Sequence, residues 1–377
     1  MFSLLLLLAC TTKDAIDSAV AATGTPDGTE TTDGTDSTDE TGTPGETGAP
    51  GDTGAPDDTD APDDTATSPG DTAAPGRSPG RYFPDDAIWY TDVSDTKPHP
   101  DSSTIISWLD GHGWGYDRFQ IDFGIQVLHA DKDTEFFEFE TTPDFYTPDC
   151  DHVPVPLPEG GNLEWEDGYT CESDGDCHLI VVHEPTETLY EMWRADVRGD
   201  RFRGGCLAVW DMNRTYGAEG RGMQCTSADA AGFPIAPLLF TADEIAAGSI
   251  DHAIRFILPN AAMRAGVFVA PATHAGGPSG PDEAPPYGVR LRLRADYPLD
   301  GLPNDGARVL ARALQTYGMF LSDGGNIALT AMSDRDTVAK WDDVLGSRDL
   351  EEIRPADFEV VELGPTIPLT YDCARAD

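Results

Sequence analysis

From Ala21 to Gly80 the chain carries no Val, Ile, Leu, Met, Phe, Tyr or Trp; it is built of Thr, Asp, Gly, Ala, Pro, Ser and Glu with one Arg. A stretch with no large apolar side chain cannot bury enough surface to offset its conformational entropy. The expectation is a disordered, charge-extended tether over residues 11–80, with all folding left to residues 81–377, expected to form a single globular β-rich domain. Both parts are acidic: 16 acids face two bases in 11–80, and 52 face 22 in 81–377, for a formal charge of −44 over the 377 residues. Nucleic acid and anionic membrane surfaces demand a basic footprint to release counterions, so neither is an expected partner. Repeats such as Gly51-Asp52-Thr53-Gly54 lack the ligand spacing of a calcium loop. Ca²⁺ is compatible with the acid surplus, but no ligand set can be named and no cofactor is assigned.

The N-terminus reads Met1-Phe2-Ser3, then Leu4 to Leu8, Ala9 and Cys10. This apolar run is too short to span a bilayer, which takes about 20 residues, and suits the h-region of an export signal. Leu7-Leu8-Ala9-Cys10 resembles the lipobox of bacterial lipoproteins, which implies a signal over 1–10 and lipidation at Cys10. Membrane contact is then expected only through the lipid anchor, at the bacterial cell envelope. No Lys or Arg precedes the apolar run.

At Tyr82 aromatic and β-branched residues begin. Strand-like runs occur at 177–184 and 188–194, around a hairpin turn at 185–187, and at 206–212, 250–258, 266–270, 288–295 and 358–362. Residues 319–321 and 327–330 read as two strands joined across Asp323-Gly324-Gly325-Asn326. Val289, Leu291 and Leu293 alternate with Arg290, Arg292 and Arg294, which predicts one buried face and one cationic stripe paired with the protein's own carboxylates. Helices are expected at 101–109, from a Thr241…Glu244 capping box, at 304–317 and at 334–345. The fold class is mainly β: a β-sandwich or jelly-roll-like domain with a few inserted helices.

Besides Cys10 there are six cysteines, an even number that suits three disulfides in an exported chain. Cys171 and Cys177 flank a turn sequence and form the first expected pair. Cys206 with Cys225, and Cys150 with Cys373, follow by proximity and elimination. No Cys-x-x-Cys or zinc-type spacing is present.

Phosphate-loop, nucleophile-elbow and His-Glu-x-x-His motifs are lacking, and Gly111-His112-Gly113-Trp114-Gly115 reads as a flexible aromatic loop. Two longer sets of residues stand out: Ser227-Ala228-Asp229-Ala230-Ala231-Gly232-Phe233-Pro234-Ile235, and His252-Ala253-Ile254-Arg255-Phe256 with Ala270-Pro271-Ala272-Thr273-His274. Together with Asp243-Glu244-Ile245-Ala246-Ala247-Gly248 and Tyr317-Gly318-Met319, they resemble a family of secreted bacterial proteins over about Phe83 to Gly364. The resemblance implies export and brings no settled activity.

Polar and aromatic residues within and upstream of those segments are chemically complementary. Asp211, Asp229 and Glu191 are carboxylate candidates, His252 and His274 acid/base candidates, and Arg255, Trp193, Trp210 and His178 candidate substrate contacts. Two carboxylates flanking a glycosidic bond serve as acid and base or nucleophile, and aromatic faces stack on sugars. His with Arg could instead abstract a proton beside a uronate carboxyl. These considerations lead to an extracellular glycan as the expected partner, and to a surface-anchored polysaccharide-active enzyme. The acidic surface favours neutral glycans, hence a glycoside hydrolase over a lyase. The alternatives are a non-enzymatic carbohydrate-binding or adhesion domain, and an envelope protein with no ligand. No metal site is expected.

Overall fold

A computed structural model describes residues 80–173 and 175–376. The signal-like segment with Cys10 and nearly all of the tether lie outside the described residues. What is described is mainly β, with strands in several sheets and few helices.

Two sheets organise it. The first contains β1 (Ile121–Ile125), β6 (Ile254–Leu258), β7 (Arg290–Leu293), β8 (Met319–Gly324), β9 (Leu329–Met332) and β10 (Phe358–Glu362), in the order β1-β9-β6-β8-β7-β10. The second contains β2 (Val127–Ala130), β3 (Leu179–His183), β4 (Thr188–Trp193) and β5 (Cys206–Asp211), in the order β5-β4-β3-β2. Only Gln126 separates β1 from β2, so the chain passes from an edge of one sheet directly to an edge of the other.

Pairing is mixed. β1/β9, β6/β8 and β2/β3 are parallel, and the remaining neighbours run antiparallel. Residues 319–332 are therefore no hairpin: β6 lies between β8 and β9, and Gly325 donates to the Leu258 carbonyl at 3.0 Å as the chain crosses the end of β6.

β3, in the second sheet, shows how a strand can lack a polar face. Ile180 and Val182 enter the large core under the first sheet, while Leu179 and Val181 enter a second core with Phe139, Val155 and Phe202. Successive side chains point to opposite faces, so a sheet buried on both sides reads as a continuous apolar run. The Arg290/Arg292/Arg294 stripe is corrected by the same burial. Arg290 donates to the carbonyls of Tyr317 (2.8 Å) and Thr91 (2.6 Å), and Arg292 to those of Val93 and Ser94 while pairing with Glu359. Both side chains are buried beneath residues 91–94; Arg294 alone stays exposed, beside Asp296.

The helices are α1 (Ser102–His112), α2 (Ala242–Ala247), α3 (Asp305–Thr316) and α4 (Trp341–Val344). Thr241 and Glu244 form the expected reciprocal capping box on α2. Thr241→Ala is expected to cost about 1–2 kcal/mol, because the buried hydroxyl satisfies the Glu244 N–H, and a urea midpoint lowered at constant slope would register it. α4 is far shorter than 334–345: the amides of Val338 and Ala339 bond to Asp243 and hold that stretch out of helix. The Gly111–Gly115 segment is packed, with Trp114 buried and its indole N–H on the Ile353 carbonyl at 2.9 Å.

Three disulfides form, and their presence fits an oxidising, extracytoplasmic compartment. Cys171–Cys177 is as expected; the other two pairings are corrected to Cys150–Cys206 and Cys225–Cys373. Asp151 explains the first, because its N–H bonds to Leu207 and its carboxylate accepts from Val209, which lays Cys150 against the start of β5. The second follows from a small antiparallel pairing of Gly222–Met223 with Ala374–Arg375. Among the described residues no helix is long and apolar enough to cross a membrane.

Candidate functional site

A row of polar side chains crosses four neighbouring strands of the first sheet. Asp122 on β1 is in register with Thr330 on β9. Arg255 on β6 donates Nη1–H to Thr330 Oγ1 (3.1 Å), Nη2–H to Asp323 Oδ2 on β8 (2.9 Å) and Nε–H to Asp229 Oδ2 (2.7 Å). Asp229 arrives from the loop before residues 236–238 and is fully buried, whereas the Asp323 side chain is 24% exposed. Two carboxylates share one guanidinium. Burial and mutual repulsion lift the titration of the pair above the usual carboxylate range against the pull of Arg255, which stays charged.

Beside this row lies a second charged pair. His178, just before β3, sets Nδ1 2.6 Å from Glu164 Oε2 and Nε2 3.3 Å from the Ala228 carbonyl. A carbonyl and a carboxylate both accept, so both ring nitrogens carry protons and the imidazole is cationic. Burial opposes that charge, but Glu164 overrides it and the pKa of His178 rises to about 9. Burial likewise opposes ionisation of Glu164, yet the charge and hydrogen bond of His178, with Arg255, hold it below the ordinary range.

Asp122 has the opposite environment. Burial, then repulsion from Glu164, pushes it up to about 6, although it accepts from the Gly124 amide (2.8 Å) and the Trp165 indole (3.3 Å). Trp165 follows Glu164 in sequence, sits in the left-handed region at φ 58° and leaves 65% of its surface exposed. A Cβ at Gly124 would collide with the indole, so this close approach requires glycine. Such strain on an exposed aromatic residue is a common mark of functional sites.

The structure brings together three of the residues expected from sequence, Asp229, Arg255 and His178. Trp193 is linked to them at the rim through its indole bond to Asp176 (2.9 Å), a carboxylate in electrostatic reach of His178 and Asp323. The others lie apart. Glu191 is sealed in the core, where burial raises it to about 7 while it accepts from Ile235 N, Ala236 N and Trp210 Nε1. Trp210 is buried too and has no face for a sugar. His252 is buried against Glu244 (3.2 Å), and His274 donates to the Ala230 carbonyl (3.0 Å), burial holding its pKa down. Asp211 is exposed at the end of β5 and turns back on Asn213 N (2.9 Å).

Asp122, Glu164, Trp165 and Asp323 escaped the sequence reading. The signals were present: Ile121-Asp122-Phe123-Gly124-Ile125 alternates like a strand, and Trp165 is ringed by acids at 164, 166 and 167. Among the described residues, Glu166, Cys171 and Cys177 alone group closely enough to hold a metal, and the two cysteines are joined in a disulfide. Comparisons with protein-family models, with curated proteins and with solved structures return no match.

Proposed function

We propose that the protein is an extracytoplasmic, polysaccharide-active enzyme of the glycoside hydrolase type, and that Asp122 and Glu164 are its working carboxylates. The observation that carries this reading is the pairing of two communicating carboxyl groups with opposed environments beside an exposed indole. Asp122 keeps its proton to about 6, and Glu164 is held ionised by His178. Such a split is what acid/base assignment in glycosidases requires. Asp122 then protonates the leaving glycosidic oxygen. Glu164 activates water or attacks the anomeric carbon, and Trp165 offers a stacking face to a sugar ring. Arg255 fixes Asp229 and Asp323 beneath the pair and keeps the floor of the site charged. Anchoring through a lipidated Cys10 belongs to the same proposal, as does a preference for neutral glycans on so acidic a chain.

The full chain, incubated with a panel of neutral and acidic polysaccharides, is expected to release reducing ends from at least one neutral glycan. Asp122→Asn is expected to abolish that release. Release of unsaturated uronate products would move the reading to a lyase. Glycan binding with no cleavage, unchanged in Asp122→Asn but lost in Trp165→Ala, would replace it with a non-enzymatic carbohydrate-binding domain, which the exposed indole also supports.

A further inference from the structure

A cleft of about 560 Å³ opens between the β3–β4 turn and the C-terminal segment, lined in part by Arg214, Arg221, Arg375 and Asp211. It shares no residue with the Asp122–Glu164 site. Its charge runs against that of the chain. Arg221 and Arg375 share a single carboxylate, Asp151, at 2.5 and 2.9 Å. Arg214 meets only the ring of Tyr216 (5.1 Å) and no carboxylate among the described residues. With Asp211, three guanidinium groups face two carboxylates among the described residues, on a protein whose formal charge is −44.

Two of the three cations are also fixed in place. Arg221 is 4% exposed and donates to the carbonyls of Thr226 (3.2 Å) and Asp149 (3.0 Å), and Arg375 donates to the same Asp149 carbonyl (2.8 Å). Arg375 sits in the strand pair with Gly222–Met223, beside the Cys225–Cys373 disulfide. The Arg221 guanidinium also lies over the Trp210 ring (5.5 Å), with Nε buried and without a hydrogen-bond partner. A concentrated and preorganised set of guanidinium donors matches an oxyanion, which planar forks bind bidentately.

We infer that this cleft is a second ligand site, and that it takes a carboxylate, sulfate or phosphate group carried on a polar molecule of about monosaccharide size. The volume is in the range of small-molecule sites. The inference is independent of the hydrolase reading and stands whether or not a glycan is cleaved.

Titration calorimetry of the full chain at low ionic strength tests it, with inorganic phosphate and glucuronate as probes and glucose as the neutral control. Saturable binding of either oxyanion and none of glucose is expected. Arg214→Gln combined with Arg375→Gln, both exposed positions, should weaken binding by about tenfold or more, and raising the salt from about 20 to about 200 mM should weaken the wild type. Glucuronate binding more tightly than phosphate is the expected order; the reverse would keep an oxyanion site and overturn the sugar-sized carrier. No saturable heat with either oxyanion, or affinities unchanged in the double variant, would overturn it.

Discussion

Replacing Arg255 with methionine is expected to lower the free energy of unfolding by about 3–5 kcal/mol at neutral pH, because it strands charged partners in the interior. The substitution roughly preserves length and removes the one cation that Asp229 and Asp323 share. Asp229 has no solvent to turn to, and its remaining hydrogen bond, from Ala231 N at 3.4 Å, is long. Left without Arg255, the two carboxyls take up protons at a higher pH in the folded state than in the unfolded chain. The sign of the pH dependence follows. A group whose folded pKa is raised folds without penalty below its unfolded pKa, near 4 for Asp, and loses stability as pH rises above it. The wild-type pair is itself raised, so the gap between wild type and Arg255→Met should be smallest in acid, open only as pH climbs through the wild-type pair's own titration, and be widest at alkaline pH. Adding Asp229→Asn should restore part of it. Urea unfolding at several pH values would measure both trends, and a gap that stays constant with pH would show that lost packing, rather than stranded charge, is what the variant suffers.

How much of this was readable beforehand depends on the range of each interaction. The α2 capping box depends on residues three apart, and the Cys171–Cys177 bond closes a loop of six, so both were legible. Strand β10 matched its expected limits because Phe358–Glu362 carries its own pattern. The sheet order was not legible. Nothing local in Met319–Met332 says that β6 inserts between the two strands, since that choice is made by parallel pairing of β6 with β8. Disulfide partners failed for the same reason: Cys225 meets Cys373 from 148 residues away. The site was half legible. Arg255, Asp229 and His178 stood out as polar residues in otherwise apolar segments. Glu164 looked like one acid among 68, and only its contact with a buried histidine sets it apart. Asp323 looked like a turn residue for want of knowledge that Arg255 lay beside it. Glu191 and Trp210 misled because a strand's periodicity says which residues share a face without saying whether that face meets solvent or core.

Once a cleaved glycan is in hand, Asp122→Asn and Glu164→Gln should each reduce turnover by about 10²–10⁴-fold, and Asp122→Asn should leave the unfolding midpoint close to that of wild type, whereas Glu164→Gln strands the buried His178 and should lower it. The wild-type pH profile should be a bell in the mildly acidic range. Asp122 acts protonated, so turnover should fade as pH rises through about 6. Glu164 acts ionised, so turnover should fade on the acid side only as pH falls below the ordinary carboxylate range, where His178 holds it. His178 touches no substrate in this scheme and is a positioning residue. Its replacement by Asn therefore has a distinctive signature. Burial, no longer countered by the imidazolium, lifts Glu164, and the acid limb should move up towards the alkaline limb and narrow the bell. A merely structural role for His178 would lower the whole profile without moving either limb. Retention of full activity in Asp122→Asn, or an alkaline limb that stays near 6 in that variant, would remove Asp122 as the acid and leave Asp323, the other partly exposed carboxyl with a raised pKa, as the group to test next.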